Sequence, residues 1–107
     1  MSTFDKREEG FESKFAHDET LRFKANARRN RALGLWAAEK LGLEGDAAVA
    51  YAKTVVESDF DEAGDHDVFR KVKADLDAKG VDVSEHRLRR TMDELLTEAI
   101  ASIKSEG

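Results

Sequence analysis

No proline occurs anywhere in this chain, so nothing in the sequence forces a kink or a stop inside a long helix. Helices must instead end at glycines and short polar clusters, and the apolar residues between those breaks recur at spacings of three and four. Ala, Leu, Glu, Lys and Arg, all good helix formers, are abundant. A length of 107 residues gives room for one domain with a modest core. With no cysteine, disulfides, thiolate nucleophiles and sulfur-ligated metal sites are excluded. No apolar run approaches the roughly 20 residues of a membrane span, and the charged N-terminus lacks the apolar stretch of a secretory signal. The expectation is a soluble protein of a reducing compartment, cytoplasmic or peripheral to a membrane.

Five helical segments can be read between the breaks. Residues 3 to 18 open with Thr3 as a cap and carry acids early, and Phe4, Phe11 and Phe15 share one face. Gly10 beside that stripe costs about 1 kcal/mol of helix propensity, so this segment is marginal alone. Residues 19 to 41 predict a stronger helix. Leu21, Ala25, Ala32 and Trp36 lie on one face, with Leu33, Ala37 and Leu41 widening it, so its basic first half reads as an exposed arm. Gly42 is the expected stop.

Residues 46 to 58 follow, with Asp46 as N-cap and Val49, Ala52 and Val56 flanked by Ala48, Tyr51 and Val55 as the packing face. The acidic connection breaks at Gly64 with a possible helical turn at Phe60. Residues 67 to 79 place Val68, Val72 and Leu76 in register beside Phe69, and Gly80 ends that helix. The run from Val81 to Val83 suits a brief extended stretch. Ser84 caps the last helix, residues 85 to 105, with Val83 and Leu88 at staple spacing. Leu88, Met92, Leu95, Leu96, Ala99, Ile100 and Ile103 face inward. Short connections between these helices predict an all-α, antiparallel four-helix bundle preceded by a mobile or extended amphipathic N-terminal helical segment. The expected division is residues 1–19 for partner binding and 20–107 for the bundle.

The Phe4, Phe11 and Phe15 stripe has two readings: ordinary core, or an anchor set for a helix entering a partner's groove. Its terminal position and the complete set of helices after it favour recognition. Net charge is −5, but the charges are segregated. Residues 22–31 hold Arg22, Lys24, Arg28, Arg29 and Arg31 with no acid, while residues 57–67 hold six acids with no Lys or Arg. That layout orients a protein partner or pairs with itself across the fold, and the basic stretch alone reads as a solvated helix face or, more specifically, a contact for an acidic partner. Nucleic acid is disfavoured by the acidic total and by the absence of an aromatic stacking platform with a positive rim.

The acidic connection matches a calcium loop at Asp59, Asp61 and Gly64. However, Ala63 and Arg70 stand where a third ligand and the bidentate Glu are needed, so the match fails. His17, His66 and His86 lack metal-ligand spacing. His17, at the junction of the Phe segment and the basic stretch, is placed to tune a partner contact by protonation near neutral pH. Phosphate-loop, dinucleotide and nucleophile-elbow signatures are absent, so no catalytic residue, cofactor or metal is expected.

The stretch FDKREEGFESKFAHDETLRFKANARRNRALGLWAAEKLG, above all FESKFAHDE followed by ARRN and GLWAA, resembles the ATPase inhibitor family known as the zeta subunit of the alphaproteobacterial ATP synthase. The resemblance runs end to end. It implies a four-helix bundle whose N-terminal region is mobile when free and becomes a helix when inserted between alpha and beta subunits near the gamma shaft, inhibiting ATP hydrolysis. It further implies apolar contacts from Phe4, Phe11 and Phe15, and polar ones from Asp5, Lys6, Arg7, Glu12, Lys14 and His17. Arg22, Arg28 and Arg29 extend this expected contact set into the basic stretch. A cytoplasmic monomer, peripheral to the inner membrane when bound, is the corresponding expectation. A helical adaptor using the same Phe segment on another complex is the competing class.

Overall fold

In a computed structural model, residues 18–59 and 65–106 are described, and every regular element among them is an α-helix. The helices are α1 (Glu19–Lys40), α2 (Gly45–Glu57), α3 (His66–Ala78) and α4 (Glu85–Glu106). The segment around Phe4, Phe11 and Phe15, the turn at Phe60 and Gly64 itself lie outside the described residues.

Both ends of α1, the stop of α3 and the start of α4 have local causes. Asp18, with φ −96° and ψ 105°, caps α1 by accepting from the Thr20 and Leu21 amides at 2.9 and 3.2 Å. At the far end Gly42 takes φ +79°, which a side chain would resist, and the Leu43 and Gly42 amides donate to the Ala38 and Glu39 carbonyls. Gly80 closes α3 by the same pair of bonds, from Val81 to Leu76 and from Gly80 to Asp77. Ser84 Oγ accepts from the Arg87 amide at 3.1 Å, which is the expected cap of α4. Asp46 is not a cap: α2 begins at Gly45 after Glu44, and Asp46 sits in the first turn near the positive end of the helix dipole.

Cross-helix pairs fix the register. Asn30 meets Asp59 while Gly34 meets Ala52, so α2 runs antiparallel to α1. Arg28, midway along α1, and Lys24 in its first half meet Glu106 at the end of α4. Arg89 reaches back to Asp65, and Lys73 donates to the Val83 carbonyl, so α3 and α4 are antiparallel as well. α1 packs along both α2 and α4 and touches α3.

The main core joins Leu33 and Ala37 of α1, Val55 of α2, Val68, Phe69, Val72 and Leu76 of α3, and Leu88 and Met92 of α4, closed below by Val83. Trp36, Tyr51 and Leu95 pack against its edge. Val81 to Val83 form no strand, but Val83 is buried beside Leu88 in that core, as staple spacing requires. A second, smaller cluster joins Leu21 and Ala25 to Leu96, Ile100 and Ile103. It corrects the reading of the first half of α1 as an exposed arm: one face of that half is stapled to α4. Val49 is a further correction, since it is 51% exposed and the α2 packing face narrows to the buried Ala52 and Val55 with Ala48, Tyr51 and Val56 half-buried beside them. The close crossing at Gly34 explains the narrowing, because a contact through two small residues leaves the outer turn of α2 with nothing to cover it. No helix among the described residues is long and apolar enough to cross a membrane.

Candidate protein interaction surface

The residues expected to recognise a partner fall into two groups. Phe4, Asp5, Lys6, Arg7, Phe11, Glu12, Lys14, Phe15 and His17 lie outside the described residues. Arg22, Arg28 and Arg29 lie on α1, where the helix sends their side chains to three different environments.

Arg22 is exposed and makes no ion pair among the described residues. Arg28 is clamped: its guanidinium donates to Ser102 Oγ at 2.9 Å and meets Glu106 Oε1 at 2.7 Å. Lys24 Nζ joins the same carboxylate at 3.3 Å. Hydrogen bonds from Arg28 and Lys24 hold the Glu106 carboxyl below its ordinary range.

Arg29 turns inward and is 3% exposed. Its Nε donates to Asn30 Oδ1 at 2.6 Å, and its NH1 stands 3.8 Å from Asp65 Oδ2. Asn30, also buried, spends its amide on Asp59 Oδ2 at 2.9 Å. Burial pulls the Arg29 guanidinium below its usual value, while Asp65, Asp59 and Asp93 pull it back up. Arg89 completes the cluster, donating to Asp65 at 3.2 Å with its guanidinium 4.1 Å from the Phe69 ring centre. This knot ties both ends of the acidic connection to α1. The segregated charges noted in the sequence therefore meet at Asp65, through Arg29, while Asp59 is held by the neutral Asn30 amide.

A third polar cluster joins α2 to α3. Tyr51 Oη donates to Asp75 at 2.8 Å, and Lys71 meets the same carboxylate at 2.7 Å while lying over the Tyr51 ring. Burial first, and the Asp75 contact second, push the Tyr51 hydroxyl well above its ordinary value, so it stays a neutral donor. His66 is exposed, with its ring 3.5 Å from Arg89. No group of His, Cys, Asp or Glu among the described residues is placed to hold a metal ion.

Sequence reasoning passed over two features. Asn30 and Arg89 were signalled only weakly, since a polar residue's place in such a cluster depends on partners distant in sequence. Phe23 had a clear signal: it falls outside the Leu21–Ala25 register, and it is 76% exposed.

Comparison with known proteins bears on the whole chain. A structure solved by solution NMR shares 48% sequence identity, superposes with a TM-score of 0.70, and is matched over 81% of this chain and 99% of its own. A search of curated proteins gave no significant match. The family model described as ATPase inhibitor subunit zeta matches residues 1–102, which takes in the Phe-bearing segment together with all but the last turn of the bundle. The four-helix architecture and this near full-length match agree, and the chain belongs to the ATPase inhibitor subunit zeta family.

Proposed function

We propose that this protein inhibits ATP hydrolysis by inserting residues 1–19 as a helix between alpha and beta subunits of the ATP synthase catalytic headpiece, near the gamma shaft. Residues 20–107 act as the bundle that carries the wedge. The observation that carries this reading is that the family match includes residues 1–17 together with α1 to α4, whose described residues already form a joint core. In this reading Phe4, Phe11 and Phe15 are the anchors.

A rotary catalyst cycles its interfaces between open and closed forms. A ligand stalls the cycle only by binding one form more tightly than the next, and a difference of about 5.5 kcal/mol moves a two-state equilibrium from 1:99 to 99:1. Phe4, Phe11 and Phe15 provide apolar area for that preference, and aromatic hot spots contribute about 2 kcal/mol or more each. Asp5, Lys6, Arg7, Glu12, Lys14 and His17 set orientation, with Arg22 at the junction and Arg28 bracing it by its hold on Ser102 and Glu106 of α4. Arg29 acts from inside, by holding the bundle beneath that junction. The protein works as a monomer on the cytoplasmic face, peripheral to the inner membrane, and performs no chemistry itself.

The test is ATP hydrolysis by the cognate headpiece with the full chain added, compared with a chain lacking residues 1–17 and with Phe11→Ser. The shortened chain keeps the Asp18 cap and is expected to melt like the full chain but to leave turnover untouched. Full inhibition by the shortened chain, or none by the full chain at micromolar excess, would refute the wedge and favour an adaptor.

A further inference from the structure

Phe23 is the most exposed aromatic among the described residues, and its surroundings are as telling as its exposure. On α1 the residues Phe23, Ala27, Arg31 and Leu35 lie along one row at four-residue spacing. Arg31 is exposed, Ala27 is half-buried and Leu35 is 38% exposed. The neighbouring row is covered by α2: Gly34 meets Ala52 and Asn30 meets Asp59. α2 ends at Glu57. Phe23 lies seven residues before Asn30, about 10 Å further along α1 at 1.5 Å per residue, beyond the end of the helix that would have covered it.

The charge on this face is one-sided. Between Glu19 and Glu39 α1 contains no acid, in a chain of net charge −5. Lys24 and Arg28 are engaged by Glu106 and Arg29 is internal, but Arg22 and Arg31 make no ion pair among the described residues. A solvated helix face ordinarily alternates charges and has no need of a phenylalanine. An aromatic anchor with arginines that no described acid pairs, one residue before it and two turns after it, fits an apolar recess with an acidic rim.

We propose that this face of α1, with Phe23 as anchor and Arg22, Arg31 and Leu35 around it, is a second docking surface for an acidic patch on the same catalytic headpiece. The inference rests on the inhibitor reading above, because the face begins where the inserted segment ends at residue 19. It divides the labour: residues 1–19 enter the interface, and α1 holds the bundle against the outside. Electrostatic attraction through Arg22 and Arg31 speeds the encounter and makes it sensitive to salt.

The experiment uses the full-length chain, its headpiece and three variants: Phe23→Ser, the double variant Arg22→Glu/Arg31→Glu, and Phe11→Ser as control. Binding is read by titration calorimetry at two salt concentrations, alongside ATP hydrolysis and a thermal melt. Phe23→Ser is expected to weaken binding about 30-fold, the usual effect of losing a hot-spot aromatic. The double reversal is expected to weaken binding and flatten its salt dependence. Both should melt like the wild type, since neither site touches the core. Wild-type affinity and salt dependence in both variants would overturn the second surface, and if Phe11→Ser then still abolishes inhibition, the wedge reading survives alone. A wild type that binds without inhibiting, and whose binding falls with Phe23→Ser, would support the second surface and refute the wedge. Absence of any binding by the wild type would overturn both. Self-association of the free chain that is dispersed by the double variant Arg22→Glu/Arg31→Glu, with headpiece binding unchanged, would assign the face to a second copy and overturn the proposal.

Discussion

At Gly34 the axes of α1 and α2 cross so closely that a methyl group has no room. A Cβ placed there would stand 2.5 Å from Ala52 Cα, 2.9 Å from its Cβ and 3.2 Å from its carbonyl oxygen. Two effects oppose each other in Gly34→Ala. The replacement gains about 1 kcal/mol by removing a glycine from mid-helix. Overpacking costs about 1–3 kcal/mol, and the upper part of that range applies because the obstructing atom belongs to the backbone of a second helix. Relief then requires moving α2 bodily, which opens the contact around Leu33 and Val55, both at 0% exposure. The steric effect prevails, leaving a net loss of about 1–2 kcal/mol, and each kcal/mol lowers Tm by roughly 4–8 °C in a domain of this size. Adding Ala52→Gly removes the contact to Cβ but not the nearer one to Cα. It also introduces a glycine into α2 at a further cost of about 1 kcal/mol. The double variant is therefore expected to melt no higher than Gly34→Ala. Circular dichroism melts of the four chains check this. A Gly34→Ala protein melting at or above wild type, or restored by Ala52→Gly, would refute the close-crossing account.

Arg29→Ala is expected to destabilise the fold by about 2–3 kcal/mol in urea unfolding, because Asn30 Oδ1 loses its donor in a buried site while the half-exposed Asp65 keeps Arg89 and water. Asp18→Ala removes the acceptor for two amides and should cost about 1 kcal/mol, read as faster hydrogen exchange at Thr20 and Leu21 with the rest of α1 still protected. The Glu106 contact has a defined pH window. Its carboxyl is held below the ordinary 4.5, so its contribution is fully present above that value and is lost as pH falls through the lower folded value. The Tm difference between wild type and Glu106→Gln should hence be constant around neutrality and shrink only in acid below about pH 4.5. A difference that varied with pH near neutrality would point to another titrating group.

Helices and stops were legible because each has a local cause. The Gly42 and Gly80 termini, the Ser84 cap and the buried Leu88, Met92, Ala99 and Ile103 row all follow from spacing and backbone chemistry. Tertiary detail was less accessible. Val49 has the same composition and spacing as its buried neighbours, and its exposure depends on how tightly Gly34 lets α1 approach Ala52. The start of α2 shifted for a related reason: Gly45, at φ +55°, allows the chain to turn into the helix ahead of Asp46. The family and its mode of action came from resemblance, since no periodicity carries a partner's identity.

The basic stretch is where sequence and structure inform each other most. Read as composition, RFKANARRNR is a single positive patch; read as a helix, it is three. Ala25, Arg29, Leu33 and Ala37 follow at four-residue steps, and the other three members of that row are buried apolar residues, so Arg29 had to turn inward and find polar partners there. Arg28 and Lys24 fall on the side facing the end of α4 and are neutralised by Glu106. What remains for a partner is the charge that neither the core nor α4 uses, Arg22 and Arg31, together with the one aromatic on α1 that is out of step with its apolar row, Phe23. Helical phase, rather than the number of bases, thus decides which part of the stretch is free to recognise another protein.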